Sequence, residues 1–151
     1  NGWTVARSTL GNERVSIGGG GQGFGVDVVG LYREQAEPAD GLTRDVGEWV
    51  AQGAGMRALN LRRVERAVVG GEPGPEGNVT KLVLSENGHE AAAILAELTG
   101  PDAAFLDGAG AMSGTLTLMH RAMSIAGGTS EIKRNQIGER ILGLPRDPLI
   151  K

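Results

Sequence analysis

The chain contains no cysteine among its 151 residues, which excludes disulfide bonds and thiolate metal sites. A sequence without cysteine is typical of a cytoplasmic protein, and we predict that location. The two histidines, His89 and His120, stand alone in the sequence and lack the spacing of a metal-binding motif. We therefore predict that both are structural residues, at the surface or half-buried, and that the chain holds no metal.

Long apolar runs are also missing. No stretch approaches the roughly 18 consecutive apolar residues that a membrane span requires, so the sequence predicts no transmembrane helix. The net charge is only −3, and Lys and Arg are not clustered as phosphate binding would require, so we expect no nucleic-acid partner. The opening residues, Asn1 to Thr4, have neither an initiating Met nor the charged-then-apolar order of a signal peptide.

Aromatic residues are scarce, with five in the chain against 26 glycines. A core made mainly of Val, Leu, Ile and Ala suits packed helices better than a sandwich or a barrel. We interpret many of the glycines as helix ends or as positions of close packing, because glycine weakens a helix interior.

Apolar residues recur mostly at three- and four-residue steps between breaks rich in glycine or proline, which predicts a series of helices. The predicted helices run from Leu10 or Asn12 to Gln35, Leu42 to Val68, Asn78 to Leu98, Leu116 to Ile125, and Thr129 to Leu142. The segment 1–7 is interpreted as the frayed end of a strand, and the segment 102–114 as a loop of small residues. Helices joined by short breaks pack as a bundle, so we predict an all-α fold: an antiparallel four-helix bundle plus a short C-terminal helix.

The start of the last predicted helix carries a local capping signal. Thr129 or Ser130 is a suitable N-cap, and Glu131 in the first turn complements the positive end of the helix dipole. Gly143, followed by Pro145, is a standard helix stop. The segment 129–142 is therefore predicted as a helix with a well-defined beginning and end.

The string from Ile125 to Pro148, IAGGTSEIKRNQIGERILGLPRDP, closely resembles the C-terminal signature of the acyl-CoA dehydrogenases. A second match lies upstream, at Gly2-Trp3 and at the segment 10–14, LGNER. The two matches come in the order that this family shows. The resemblance implies that residues 1–9 are a remnant of the preceding β-domain and that residues 10–151 form the C-terminal helical bundle domain. It also implies that the chain is a fragment that is inactive in isolation.

The resemblance further implies a reaction, the α,β-dehydrogenation of an acyl-CoA thioester, with FAD accepting a hydride from Cβ and a carboxylate removing the Cα proton. In most of the family that carboxylate immediately precedes the Gly-Thr-Ser of the signature, where this chain has Gly127. Members that resemble isovaleryl-CoA and long-chain dehydrogenases take it from an acid-Arg pair in the first bundle helix, here Glu13-Arg14. Glu13 is thus the predicted base and Arg14 its electrostatic, substrate-binding partner. The alternative for Glu13 is a first-turn acid that complements a helix dipole.

The same resemblance places Thr129, Ser130 and Glu131 against FAD and Gly128 beside the acyl-CoA channel, with simple helix capping as the alternative role. It implies a homo- or hetero-tetramer, and electron-transfer flavoprotein as the electron acceptor.

Two stretches that bind FAD in this family differ in this chain. Ala39 falls where an Arg-x-x-Phe-Gly motif begins, and the segment 97–101 replaces Gln-x-x-Gly-Gly. The alternative function is therefore a non-catalytic scaffold subunit of a hetero-oligomeric acyl-CoA dehydrogenase. A third hypothesis, a helical module unrelated to enzymes, treats the signature as coincidence.

Overall fold

The computed structural model describes residues 2–3, 5–6, 26–71, 74–146 and 148–149 of the chain. Throughout these ranges the regular structure is helical and contains no strand, which confirms the all-α fold class. None of the described helices is long and apolar enough to cross a bilayer. The α-helices with defined bounds are α1 (Val28–Arg33), α2 (Asp40–Val68), α3 (Gly77–Thr99), α4 (Ala111–Ile125) and α5 (Ser130–Arg140), and two short 3₁₀ helices, Gly100–Ala104 and Gly108–Gly110, join α3 to α4.

The interpretation of the first residues as a strand end is wrong where they are described. Gly2, Trp3, Val5 and Ala6 are helical and exposed. A strand needs a neighbouring strand to pair its backbone groups, whereas a helix pairs them within one segment. The assignment of residues 1–9 to a preceding β-domain remains a prediction.

The first predicted helix does not continue unbroken to Gln35. Val26 and Asp27 are not helical, and the Asp27 side chain caps α1 by accepting a hydrogen bond from the Gly30 backbone N–H at 2.8 Å. An aspartate that bonds the backbone in this way starts a new helix. The upstream part of the predicted helix, residues 10–25, lies outside the described residues.

The second, third and fifth predicted helices are confirmed as α2, α3 and α5, with ends that differ by one or two residues. Helix α3 occupies the centre, where it contacts α1, α2, α4 and α5. The buried apolar core lies between these helices and consists of Val28, Leu42, Val46, Trp49, Ala91, Ala92, Ile94, Leu95 and Leu116. The C-terminal half of α3 therefore supplies the apolar centre of the domain.

The N-terminal half of α3 buries polar rather than apolar side chains for the most part. Val79, Leu82 and Val83 are only half-buried. The fully buried positions there are mainly polar: Asn78, Thr80, Lys81, Ser85 and Asn87. These side chains bond to backbone carbonyls and to other side chains, which offsets the cost of removing them from water.

Helix α4 begins at Ala111, five residues before the predicted Leu116. The small residues that suggested a loop instead allow α4 to approach the preceding backbone closely. A Cβ at Gly110 would lie 1.7 Å from the Asp102 carbonyl oxygen, and a Cβ at Gly114 would lie 2.5 Å from the Phe105 carbonyl oxygen. Residues 111–114 form the first turn of α4, so the prediction of a loop there is wrong. Gly110 and Gly114 are small because the preceding backbone packs against them.

Candidate functional site

Four of the six predicted site residues lie together where α4 gives way to α5. Gly128 and Thr129 form the end of the connecting turn, and Ser130 and Glu131 open α5. Glu13 and Arg14 lie outside the described residues. An open cleft of about 340 Å³ is present at this point, lined by Glu86, His89, Ser124, Ile125, Thr129, Ser130, Glu131 and Arg134.

The turn before α5 depends on two glycines in conformations that side chains disfavour. Gly127 has φ +65° and Gly128 has φ +106°. Thr129 then adopts an extended conformation, and its Oγ1 accepts a hydrogen bond from the Ile132 backbone N–H at 3.3 Å. The predicted N-cap is therefore Thr129. The first turn of a helix leaves backbone N–H groups unpaired, so this helix start presents donors and a partial positive charge.

Glu131 is an exposed carboxylate at that helix start. A hydrogen bond from its own backbone N–H, a second from Thr129 and the nearby cations Arg134 and Lys81 lower its pKa, while burial opposes them. Glu131 is consequently ionised at neutral pH. This state suits an acid that complements a helix dipole, but not a general base tuned towards neutrality.

Arg134 forms an ion pair with Glu86 between α5 and α3, at the edge of the cleft. Both side chains are about half exposed, at 56% and 44%, so the pair contributes little to stability. The Glu86 carboxylate is therefore engaged by Arg134 and is not directed at a ligand. Glu131, with its lowered pKa, likewise lacks the environment of a base whose pKa is raised by burial.

The two histidines lie in contact, although they are 31 positions apart in the chain. Their rings meet edge to face, with centroids 4.3 Å apart and planes at 86°. His89 Nε2 and Ser124 Oγ are hydrogen-bonded at 2.7 Å, and His120 Nδ1 donates to the Leu116 carbonyl at 2.8 Å. Burial, His120 and Arg121 lower the pKa of His89, and Glu86 opposes them. His89 is therefore neutral at pH 7, and it lines the cleft as a structural residue.

Two completely buried lysines, Lys81 and Lys133, lie behind this turn, and neither was predicted as a site residue. Lys81 Nζ donates to the carbonyl oxygens of Ser124 at 3.2 Å and Gly128 at 2.8 Å. Lys133 Nζ donates to Asn78 Oδ1 at 3.5 Å. Burial lowers the pKa of Lys81, and the charge of Glu131 opposes the effect. One pattern in the sequence could have indicated Lys81: polar residues stand at positions 78, 81 and 85, a spacing that places them on one face of a helix.

The described residues hold no cluster of three or more His, Cys, Asp or Glu side chains able to bind a metal. What the cleft offers is a set of hydrogen-bond donors and hydroxyls around one helix start. Such an arrangement binds anionic or polar ligand edges. The described part of the site is therefore suited to binding and orientation rather than to proton abstraction.

Gly128→Ala should destabilise the chain by about 1–2 kcal/mol, because φ near +106° is unfavourable for alanine and its Cβ would lie 3.3 Å from the Lys133 side chain. Urea unfolding of the purified chain, followed by circular dichroism, measures this change. Gly47→Ala is the matched control, since a Cβ at Gly47 meets nothing within 4 Å and alanine favours the α2 helix. Equal stabilisation by both substitutions would contradict the strained geometry of the turn.

Comparisons with known proteins extend the resemblance seen in the sequence. The sequence model of one family, described as "Acyl-CoA dehydrogenase, C-terminal domain", matches residues 1–142. The chain is 33% identical to acyl-CoA dehydrogenase FadE34 of Mycobacterium tuberculosis, over 97% of this chain and 20% of that protein. It is 35% identical to acyl-CoA dehydrogenase IpdE1 of the same organism, over 97% of this chain and 39% of that protein.

The IpdE1 protein of Mycolicibacterium smegmatis is 34% identical, over 97% of this chain and 38% of that protein. The chain thus spans between a fifth and two fifths of the length of these curated relatives. No solved structure matches it.

Proposed function

Because the chain belongs to the acyl-CoA dehydrogenase family and corresponds to its C-terminal domain, we propose that it forms part of a FAD-dependent enzyme that dehydrogenates an acyl-CoA thioester between Cα and Cβ. The observation that carries the proposal is the match to this family over residues 1–142. The glycine turn and the capped start of α5 support it, because they place hydrogen-bond donors at an open cleft.

The cleft fits one portion of a cofactor as large as FAD. Thr129 and Ser130 contribute hydroxyls, and the first turn of α5 contributes backbone N–H groups. These residues, with Glu131, would hold the cofactor. When bound, FAD supplies the acceptor for the hydride that leaves Cβ.

Glu13 is the proposed base that removes the Cα proton, and Arg14 is its electrostatic partner. Gly127 has no side chain to act as a base. Of the carboxylates that line the cleft, Glu86 is ion-paired with Arg134 and Glu131 has a lowered pKa. These environments support a base from elsewhere in the chain. Gly128 is proposed to line the acyl-CoA channel, where a residue without a side chain admits the thioester.

The second candidate function is a scaffold subunit without bound FAD. Ala39 is the N-cap of α2 and makes no side-chain capping bond, and it stands where the family motif has an arginine. Glu97 and Pro101 likewise occupy an altered stretch at the end of α3. These departures favour a protein in which a different subunit completes the flavin site.

We also propose assembly into a homo- or hetero-tetramer in the cytoplasm, with electron-transfer flavoprotein accepting the two electrons. One side of α4 carries large apolar side chains that are more than half exposed: Met112, Leu118, Met119 and Ile125. Four large exposed apolar side chains on one helix support burial against a partner subunit.

The visible spectrum of the complete protein that contains this chain tests the proposed function. We expect flavin absorbance in the purified protein, and we expect a saturated acyl-CoA that is a substrate to bleach it under anaerobic conditions. The same titration without acyl-CoA is the control and should leave the spectrum unchanged. A colourless protein that takes up no added FAD would contradict the dehydrogenase proposal and support the scaffold.

A further inference from the structure

The side chain of Lys81 joins α3 to the segment that carries the candidate site. Its ammonium donates hydrogen bonds to the carbonyl oxygens of Ser124 and Gly128, at 3.2 and 2.8 Å. Ser124 lies in the last turn of α4, and Gly128 immediately precedes the N-cap Thr129. One buried cation therefore bonds both ends of the connection between the two helices.

Both bonds satisfy backbone groups that this connection leaves without helical partners. The last four carbonyls of an α-helix lack intrahelical donors, and the Ser124 carbonyl is one of them. The Gly128 carbonyl belongs to a residue with φ +106°, outside either helix. Carbonyls that are partly removed from water need partners, and Lys81 supplies one to each from a neighbouring helix.

The glycine turn has few other restraints of its own. Gly127 and Gly128 have no side chains to pack, and glycine has the largest conformational freedom of any residue. Within the connection, the Gly128 backbone N–H bonds the Ile125 carbonyl at 3.2 Å. The backbone carbonyl of Gly128 accepts its hydrogen bond from the Lys81 ammonium.

Packing alone does not account for a lysine here. Lys81 is 0% exposed, and placing an ammonium out of water is unfavourable unless hydrogen bonds compensate it. An apolar side chain of similar length would fill the same volume without this cost. What an apolar side chain lacks is the ability to bond the two carbonyls.

We propose that Lys81 is a positioning residue for the candidate site, holding the turn 127–129 so that the start of α5 faces the cleft in one fixed arrangement. The cofactor part of this inference rests on the proposed function. Lys81 itself touches neither cofactor nor substrate in this arrangement and acts through the turn.

The test compares Lys81→Met with Ser85→Ala in the complete protein that contains this chain. Ser85 is the matched control because its Oγ bonds the Met123 carbonyl at 2.9 Å, a partly buried contact from α3 to the end of α4 that does not reach the turn. Its other acceptor is the Lys81 carbonyl within α3, at 3.1 Å. Lys81→Gln is the second variant. It keeps an N–H donor on a shorter side chain, and it carries the test if the methionine variant does not fold.

Two measurements separate positioning from general stability. Amide hydrogen exchange of residues 127–132 should accelerate at least about tenfold in Lys81→Met, because the turn opens locally. The Kd for FAD should rise about tenfold, as expected for the loss of one charge-assisted restraint. Ser85→Ala should leave both quantities near wild type, even where it lowers the melting temperature. Lys81→Gln should fall between wild type and methionine.

Unchanged exchange at residues 127–132 in both Lys81 variants would overturn the proposal. So would an acceleration spread evenly over α3, α4 and α5, since that pattern indicates general destabilisation. If the wild-type protein binds no FAD, the proposed function fails by itself, and the exchange measurement still decides whether Lys81 fixes the turn.

Discussion

Glu13→Gln should lower the kcat of the FAD-loaded enzyme by about 10²- to 10⁴-fold, the contribution usual for a general base. Glutamine has nearly the same shape as glutamate but cannot accept the Cα proton. The rest of the site, including Thr129 and Ser130 at the start of α5, is unchanged by this substitution. We therefore expect FAD to remain bound, so that the loss appears in turnover and not in flavin content.

Single-turnover flavin reduction in the complete enzyme, measured with and without the substitution, is the decisive comparison. Glu90→Gln provides the matched control: its carboxylate accepts a hydrogen bond from Gln52 Nε2 at 3.3 Å, away from the cleft. We expect this control to retain wild-type turnover. The same change of glutamate to glutamine, made at a residue that does not line the cleft, thereby separates base chemistry from loss of charge.

Two results would contradict the assignment. A variant at Glu13 with normal turnover but a slightly lower melting temperature would indicate a first-turn acid that stabilises a helix dipole, worth about 0.3–1 kcal/mol. Alternatively, loss of turnover in Glu86→Gln or Glu131→Gln, with full activity in Glu13→Gln, would place the base among the cleft carboxylates instead.

The helices that could be predicted from sequence are those whose signals are local. Helix α2 follows from its apolar residues at three- and four-residue steps between two glycine- and proline-rich breaks. The start of α5 follows from a single capping residue, because Thr129 bonds a backbone N–H only three positions away. In both cases the determining contacts lie within one segment of chain.

The early start of α4 could not be predicted in the same way. Gly110 and Gly114 are there because the backbone of residues 102–105 passes close to them, and that neighbour is brought near only by the folded chain. Taken alone, a run of small residues indicates a loop equally well. The low helix propensity of glycine was overridden here by the contact between these glycines and the backbone of residues 102–105.

The candidate site also contains residues with local sequence signals and residues whose contacts come from distant segments. Thr129, Ser130 and Glu131 were found because a motif marks them and they are adjacent in sequence. Lys81 was missed, since its two acceptors lie 43 and 47 positions further along the chain and a lone lysine in a helix is normally solvated. Buried polar side chains need partners from other elements, and those partners are defined only by the packing of α3 against α4 and α5.

That packing depends on the anchoring of α3 by α2, and Trp49→Ala should therefore cost about 3–5 kcal/mol of the free energy of unfolding. Trp49 is 5% exposed in the core, and its indole N–H donates to the Asn87 carbonyl at 3.0 Å. Truncation removes a large apolar side chain and leaves a buried carbonyl without that donor. Urea unfolding of the purified chain, followed at 222 nm, measures the loss.

Trp3→Ala is the matched control, because Trp3 is 73% exposed and its truncation should change the free energy of unfolding by less than about 0.5 kcal/mol. Trp49→Phe separates the two causes, since it keeps most of the apolar contact and should lose only about 0.5–1.5 kcal/mol, the net contribution of the hydrogen bond from the indole to the Asn87 carbonyl. A loss below about 1 kcal/mol in Trp49→Ala would mean that this contact is not central to the core. Helix α3 carries Lys81, Glu86 and His89. Trp49 bonds Asn87, which lies between Glu86 and His89, so a strong anchor at Trp49 fixes the part of α3 that lines the cleft.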